Sequence, residues 1–252
     1  MPAEGLHALA CSGPNCPLWQ SDHGACLRRI AVFRDLTDTQ AATLRRLARP
    51  TEVAEGQGLF AAGDPASDIL LVVRGLVKVV RSDTAGREHM IRLLRTGDHF
   101  GAEYLFADET LPAAAHAVAE GNVCFVPLAA VQQLIIEDAN VAARIIAAMA
   151  RQLRQTEDSA AKLALADAGS RLAALLLDLS DEIGRPAGAG RVHIRLPINR
   201  PDLASLVGIA PETVSRRLSD LAAAGVVILH GHRGITVVSR ARLAALAGRA
   251  RE

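Results

Sequence analysis

Four cysteines, Cys11, Cys16, Cys26 and Cys124, are the first residues with chemistry to offer, and three of them crowd the N-terminal end. In a reducing compartment such thiols are free, metal-bound or redox-active before they are structural cross-links. A second group lies near the other end, where residues 199–224 read NRPDLASLVGIAPETVSRRLSDLAAA. Glu212, Ser215 and Arg216 fall three and four residues apart, so a helix carries them on one face. Arg donates two hydrogen bonds to guanine, Glu accepts from cytosine, and Ser touches a base edge or a methyl group. That set suits the major groove of double-stranded DNA.

The elements that must hold this triplet are written around it. Asn199 caps a helix, with Asp202 in the capping-box position. Leu203, Leu206 and Val207 give that helix an apolar face, and Gly208 supplies a tight turn. Pro211 opens the next helix, where its missing N–H costs nothing, and Glu212 suits the positive end of the helix dipole. Val214, Leu218 and Leu221 then point inward, and Glu212, Ser215, Arg216 and Ser219 point outward. Two short helices about a glycine form a helix-turn-helix. Thr213, Arg217 and Arg200 complete the expected DNA-contacting set. Gly225–Val238 reads as a two-stranded wing with His230, His232 and Arg233 near its tip.

Charge agrees with this placement. The chain of 252 residues carries a net charge of only +1. Residues 171–252, however, hold twelve Arg against seven Asp and Glu, a net of +5, which leaves the remainder at −4. A basic tail on an acidic body points to a polyanion partner for the tail. With seven aromatic residues in all, the composition argues against a binder that stacks single-stranded bases on exposed rings. No apolar run approaches the ~20 residues of a membrane helix, and no secretion signal opens the chain. A cytoplasmic protein without a membrane partner is expected. There is no P-loop, metalloprotease-type histidine pair or nucleophile elbow, so the chain does not read as an enzyme.

Between these regions the pattern changes twice. Residues 37–48 read as a short helix capped by Thr37. Short β-branched runs follow at Ile69–Val73, Leu76–Val80, Met90–Leu94, Ala114–Val118 and Val123–Val126, punctuated by glycines, as in an antiparallel sandwich or roll. Residues 128–158 contain neither Gly nor Pro. Ile146, Met149, Leu153, Thr156, Ala160 and Leu163 then follow a heptad-like spacing. Such a helix packs on its own sheet or pairs with a second chain, and the small-residue seam favours pairing. Residues 168–183 form another amphipathic helix, 184–190 a break, and Val192–Leu196 a strand.

Three stretches in order, EGQGLFAAGDPASDILLVVRGLVKVV with LLRTGDHFG, the long helix, and PETVSRRL, resemble the cyclic-AMP receptor/FNR regulators over roughly residues 30–245. The resemblance implies an α+β chain in four parts. These are a cysteine-containing segment (1–30), a cyclic-nucleotide-binding-like antiparallel β-roll (31–127), a dimerisation helix (128–163) and a winged helix-turn-helix domain (164–252). It also implies a homodimer on a palindromic promoter site that recruits RNA polymerase, with Phe106–Thr110 a candidate polymerase patch by position.

Two departures choose the branch. Cyclic-AMP binders carry Glu after the glycine that stands here as Gly101, and an Arg–Ser pair some ten residues on. Here those positions are Ala102, Pro112 and Ala113, and Glu103 is one place late. Without Arg and Ser a buried cyclic phosphate has no partner, so cyclic AMP is not expected. Glu212-x-x-Ser215-Arg216 instead matches the FNR-type pattern, which implies a TTGAT-like half-site in an inverted repeat. FNR proteins hold an oxygen-labile [4Fe–4S] cluster on three N-terminal cysteines and one in the roll. By that resemblance Cys11, Cys16, Cys26 and Cys124 are the iron–sulfur ligands, and the signal is oxygen, nitric oxide or redox state. The intervals between the N-terminal cysteines are four and nine residues, where FNR has two and five. A thiol–disulfide switch, a haem or zinc site using His7 or His23, another small effector in the roll, and a plain core role for Cys124 stay open beside the cluster.

Overall fold

The computed structural model describes residues 25–28, 33–84, 86–165 and 167–248. Cys11 and Cys16 lie outside them, as does the side chain of Cys26. Two compact units emerge, 1–79 with 94–155, and 80–93 with 156–252.

The N-terminal part of the chain opens with α1 (Ala25–Arg28) and α2 (Asp38–Leu47). Thr37 and Gln40 cap α2 reciprocally, the Thr37 hydroxyl accepting from the Gln40 amide and the Gln40 side chain accepting from the Thr37 N–H. Strands β1 (Arg49–Val53), β2 (Gly58–Phe60), β3 (Asp68–Arg74), β4 (Val77–Ser82), β5 (Glu88–Leu94), β6 (His99–Phe100), β7 (Ala114–Ala117) and β8 (Gly121–Pro127) follow. They form two four-stranded sheets, β1-β8-β3-β6 and β2-β7-β4-β5. This is the expected antiparallel roll. The sequence patterns did not reveal β1, β2, β6 and the later β9. Pro50 and two outward polar residues disguise β1, and the others are too short to show a period.

Alternation divides the first sheet into two faces. Leu70, Val72, Phe100 and Val123 pack into the roll interior with Ala113, Ala115 and Val79. Ile69, Leu71, Cys124 and Val126 pack outward beneath helices, with Leu27, Phe33, Leu44, Val131 and Ile145.

Helices α3 (Leu128–Glu137) and α4 (Ala139–Leu165) correct the single dimerisation helix expected over 128–163. Asp138 is extended, with φ −143° and ψ 103°. Its carboxylate accepts from the backbone and side-chain amides of Asn140, both at 2.9 Å, and so starts a new helix. These bonds, with one from Gln40 and the nearby positive charge of Arg144, hold its pKa below the ordinary value. No glycine or proline was needed to make the break.

The C-terminal part of the chain contains α5 (Ala168–Ile183), β9 (Arg185–Pro186), β10 (Val192–Arg195), α6 (Arg200–Val207), α7 (Pro211–Ala223), β11 (Val227–His230), β12 (Gly234–Val237) and α8 (Arg240–Leu246). Helix α5 packs against α6, α7 and α8. The sheet order is β11-β12-β10-β9. Asp167 caps α5 through the amides of Gly169 and Ser170, which also lowers the Asp167 pKa, with the Ser170 hydroxyl the largest cause.

Candidate DNA-reading interface and sensor elements

Helix α6 starts as its sequence dictates. The Asn199 side chain accepts from the Asp202 amide at 2.8 Å, and Asp202 accepts from the Asn199 amide. Gly208 ends it in the left-handed region, with φ 67°. Leu203, Ala204 and Val207 are buried, and so are Val214 and Leu218 of α7. Those anchors turn Glu212, Ser215, Arg216 and Ser219 to solvent together. Among the described residues neither Glu212 nor Arg216 is in an ion pair. The Ser215 hydroxyl donates to the Pro211 carbonyl at 3.1 Å, which leaves its oxygen as an outward acceptor.

The other three expected contacts sit differently. Thr213 and Arg217 are half-buried at the flanks of α7, and Arg217 lies 3.8 Å from Asp220. Arg200, in the first turn of α6, is also half-buried, and burial lowers its pKa. One terminal nitrogen of Arg200 and the Nε of Arg217 are enclosed without a hydrogen-bond partner.

The wing forms where the sequence placed it, with Gly231, His232 and Arg233 exposed at the tip. The Leu196 amide donates to the Arg233 carbonyl at 2.7 Å and fixes that tip. One feature was missed. Thr236 Oγ1 lies 3.1 Å from His193 Nδ1 and 2.9 Å from His230 Nε2, so one hydroxyl joins two histidines across three strands. The period-two alternation of these strands was the available signal.

In the roll, the cyclic-phosphate positions carry other chemistry. Gly101 has φ 103° and leads into a 3-10 turn over Ala102–Tyr104. Glu103 folds back to accept from the Gly101 amide at 3.0 Å. Ala113 is fully buried. Phe60 stacks on Phe100 with centroids 5.3 Å apart, and Tyr104 tilts against Phe100 at 6.4 Å. Aromatic and alanine side chains thus pack this region, and the motif's charged groups do not project there.

Cys124 is a buried thiol, 3% exposed, in the same apolar cluster as Leu27, the chain neighbour of Cys26. Among the described residues no three His, Cys, Asp or Glu converge as a metal site. The segment after Cys26 is tied to α4. The Asp35 carbonyl accepts from Arg144 at 2.9 Å, and the Asp35 carboxylate pairs with Arg151 at 2.8 Å. Gln40 donates to Asp138 at 2.9 Å.

Helix α4 presents two apolar rows. Val141, Ile145 and Ala148 are buried in their own core, and Met149, expected in the seam, is half-buried against that core. Ile146 and Leu153 are 65% and 60% exposed, and Ala139, Ala143 and Ala147 share their outward side. The side chains of Thr156, Ala160 and Leu163 lie outside the described residues. Among those described, no helix is long and apolar enough to cross a membrane.

Comparison with known proteins agrees with both halves of this architecture. Residues 170–246 match the Crp-like helix-turn-helix domain, and residues 50–138 the cyclic nucleotide-binding domain. The global nitrogen regulator of Synechococcus elongatus is 34% identical over 184 residues, covering 72% of this chain and 82% of that protein. The CRP-like cAMP-activated global transcriptional regulator of Mycobacterium tuberculosis is 27% identical, covering 86% and 96%. The structure of FixK2 from Bradyrhizobium japonicum superposes with a TM-score of 0.61 at 29% identity, covering 79% and 96%. The chain belongs to the Crp/Fnr family of DNA-binding transcription regulators.

Proposed function

We propose that the protein is a cytoplasmic, cyclic-AMP-independent regulator that binds a TTGAT-like inverted repeat as a homodimer and answers to oxygen, nitric oxide or redox state. The observation that carries the DNA reading is the outward set of Glu212, Ser215 and Arg216 on a helix anchored by Val214 and Leu218. Thr213 and Arg217 flank it, and the half-buried guanidinium of Arg200 adds positive charge toward the phosphate backbone. The outward row of α4, with Ile146 and Leu153, pairs with the same row of a second copy. Two recognition helices then address half-sites about 34 Å apart, and each binding event raises the effective concentration of the other. Once on the promoter, the dimer recruits RNA polymerase.

The sensor reading rests on Cys124. A Cys buried among apolar side chains rests as a neutral thiol, and ligating a cluster would require it to give up that proton in exchange for the metal. Cys124 shares its cluster with the neighbour of Cys26, which fits a group held by Cys11, Cys16, Cys26 and Cys124. A [4Fe–4S] cluster supplies an oxygen-labile centre there. The chain's own contribution is the polar tether of Asp35 and Gln40 to Asp138, Arg144 and Arg151. It links the segment after Cys26 to the start of α4.

Anaerobic purification followed by footprinting and visible spectroscopy tests both parts. A footprint on the inverted repeat that is lost on a scrambled repeat is expected, with a broad band that bleaches in air. Equal binding to both DNAs overturns the base reading. A sharp Soret band replaces the cluster by haem. A colourless protein whose binding responds to a dithiol reductant leaves a thiol switch.

A further inference from the structure

Strands β1, β8 and β3 lie side by side, and their pairing sets Glu52 opposite Asn122 and Asn122 opposite Arg74. This row shares a sheet face with Cys124, two residues further along β8. A cleft of about 550 Å³ opens over it, with Gln57 and Glu120 also in its wall. That volume is within the range of small-molecule sites.

The polar groups around the cleft do not satisfy one another. Among the described residues, none of Glu52, Glu120 and Arg74 is in an ion pair. Asn122 is 7% exposed, and its carboxamide makes no side-chain hydrogen bond there. Gln57 Oε1 accepts from the Ala54 amide at 3.0 Å, which keeps its N–H₂ group available.

Charge selects the occupant. An anion would sit against two carboxylates, and a simple cation against a guanidinium. An apolar molecule would strip water from every one of these groups without replacing it. We propose that the cleft binds a small zwitterion of the free α-amino acid class. Its ammonium meets Glu52 and Glu120, and its carboxylate meets Arg74. Asn122 lies between, with Oδ1 accepting from the ammonium and Nδ2 donating to the carboxylate. Two strand spacings set the backbones of Glu52 and Arg74 roughly 10 Å apart. Both side chains are long enough to close on charges borne by neighbouring atoms of one ligand. The site stands apart from the roll interior and does not depend on the cysteine reading.

Isothermal titration and thermal shift on the full chain, with individual free amino acids at millimolar concentration, test this. Each amino acid is paired with its N-acetyl and its carboxamide derivative. At least one free amino acid binds, and both blocked forms bind roughly tenfold more weakly or worse. Glu52→Gln and Arg74→Gln each weaken binding by a similar factor. Both positions are exposed, and circular dichroism checks that the variants fold. Absence of binding by every free amino acid overturns the proposal. So do blocked forms that bind equally well, or variants that leave affinity unchanged. Binding of the inverted repeat, followed on the same preparation, reports separately on the DNA reading.

Discussion

The helix-turn-helix and the β-roll treat their motif positions in opposite ways. On α7 the charged residues of the pattern stand outside and apolar anchors stand inside, so the chemistry faces a partner. In the roll, a buried alanine and an aromatic stack fill the corresponding region, and Glu103 is spent on its own turn. One domain turns its motif residues to solvent, and the other folds its own into local packing.

Substitutions can break or sharpen this contrast. The largest expected effect is in the roll. Phe100→Ala removes the ring that touches both Phe60 and Tyr104, and should cost ~3–5 kcal/mol of stability in urea unfolding. A loss below ~1 kcal/mol would mean that the interior is loose enough to admit a ligand. Next, Arg216→Ala should lose ~1–3 kcal/mol on the inverted repeat and little on random DNA. Equal losses in a titration against both would reduce α7 to a phosphate contact. Smaller again, Asn199→Ala should destabilise the winged domain by ~1 kcal/mol, and Asn199→Asp should restore most of it, read from thermal melts. The smallest effect is none. Saturating cyclic AMP should leave the melting temperature within about 1 °C, and a shift of several degrees would return the roll to nucleotide binding.

Much of this was legible where local rules act alone. Thr37, Asn199 and Pro211 mark their helices because capping is settled within four residues. The triplet on α7 followed from helical spacing and two buried anchors. The break at Asp138 was not legible, because the competing partner is a side chain whose bonds come from Asn140 and from Gln40, a distant part of the chain. Met149 fits a heptad seam and also the row of Val141 and Ile145, and only the packed core chooses between them. The cleft row depends on strand register, which places Glu52 beside residues 70 positions later. No period in the sequence carries that information.

Asp138 has one more consequence. A continuous helix passes torque along its axis, whereas two helices meeting at an extended residue form a joint. Besides the apolar cluster they share, α3 and α4 are linked here through side-chain hydrogen bonds, those of Asn140 and Gln40 to one carboxylate and those of Arg144 to Asp35 and Gln40. The backbone amide of Asn140 is the largest cause of that carboxylate's lowered pKa, followed by the Asn140 side chain, with Gln40 and Arg144 adding to it. A depressed folded-state pKa contributes stability above the unfolded value and loses it as pH falls through the folded value. Protonation of this one carboxylate, as pH falls through its lowered pKa, is thus expected to weaken the hydrogen bonds that gather at the joint.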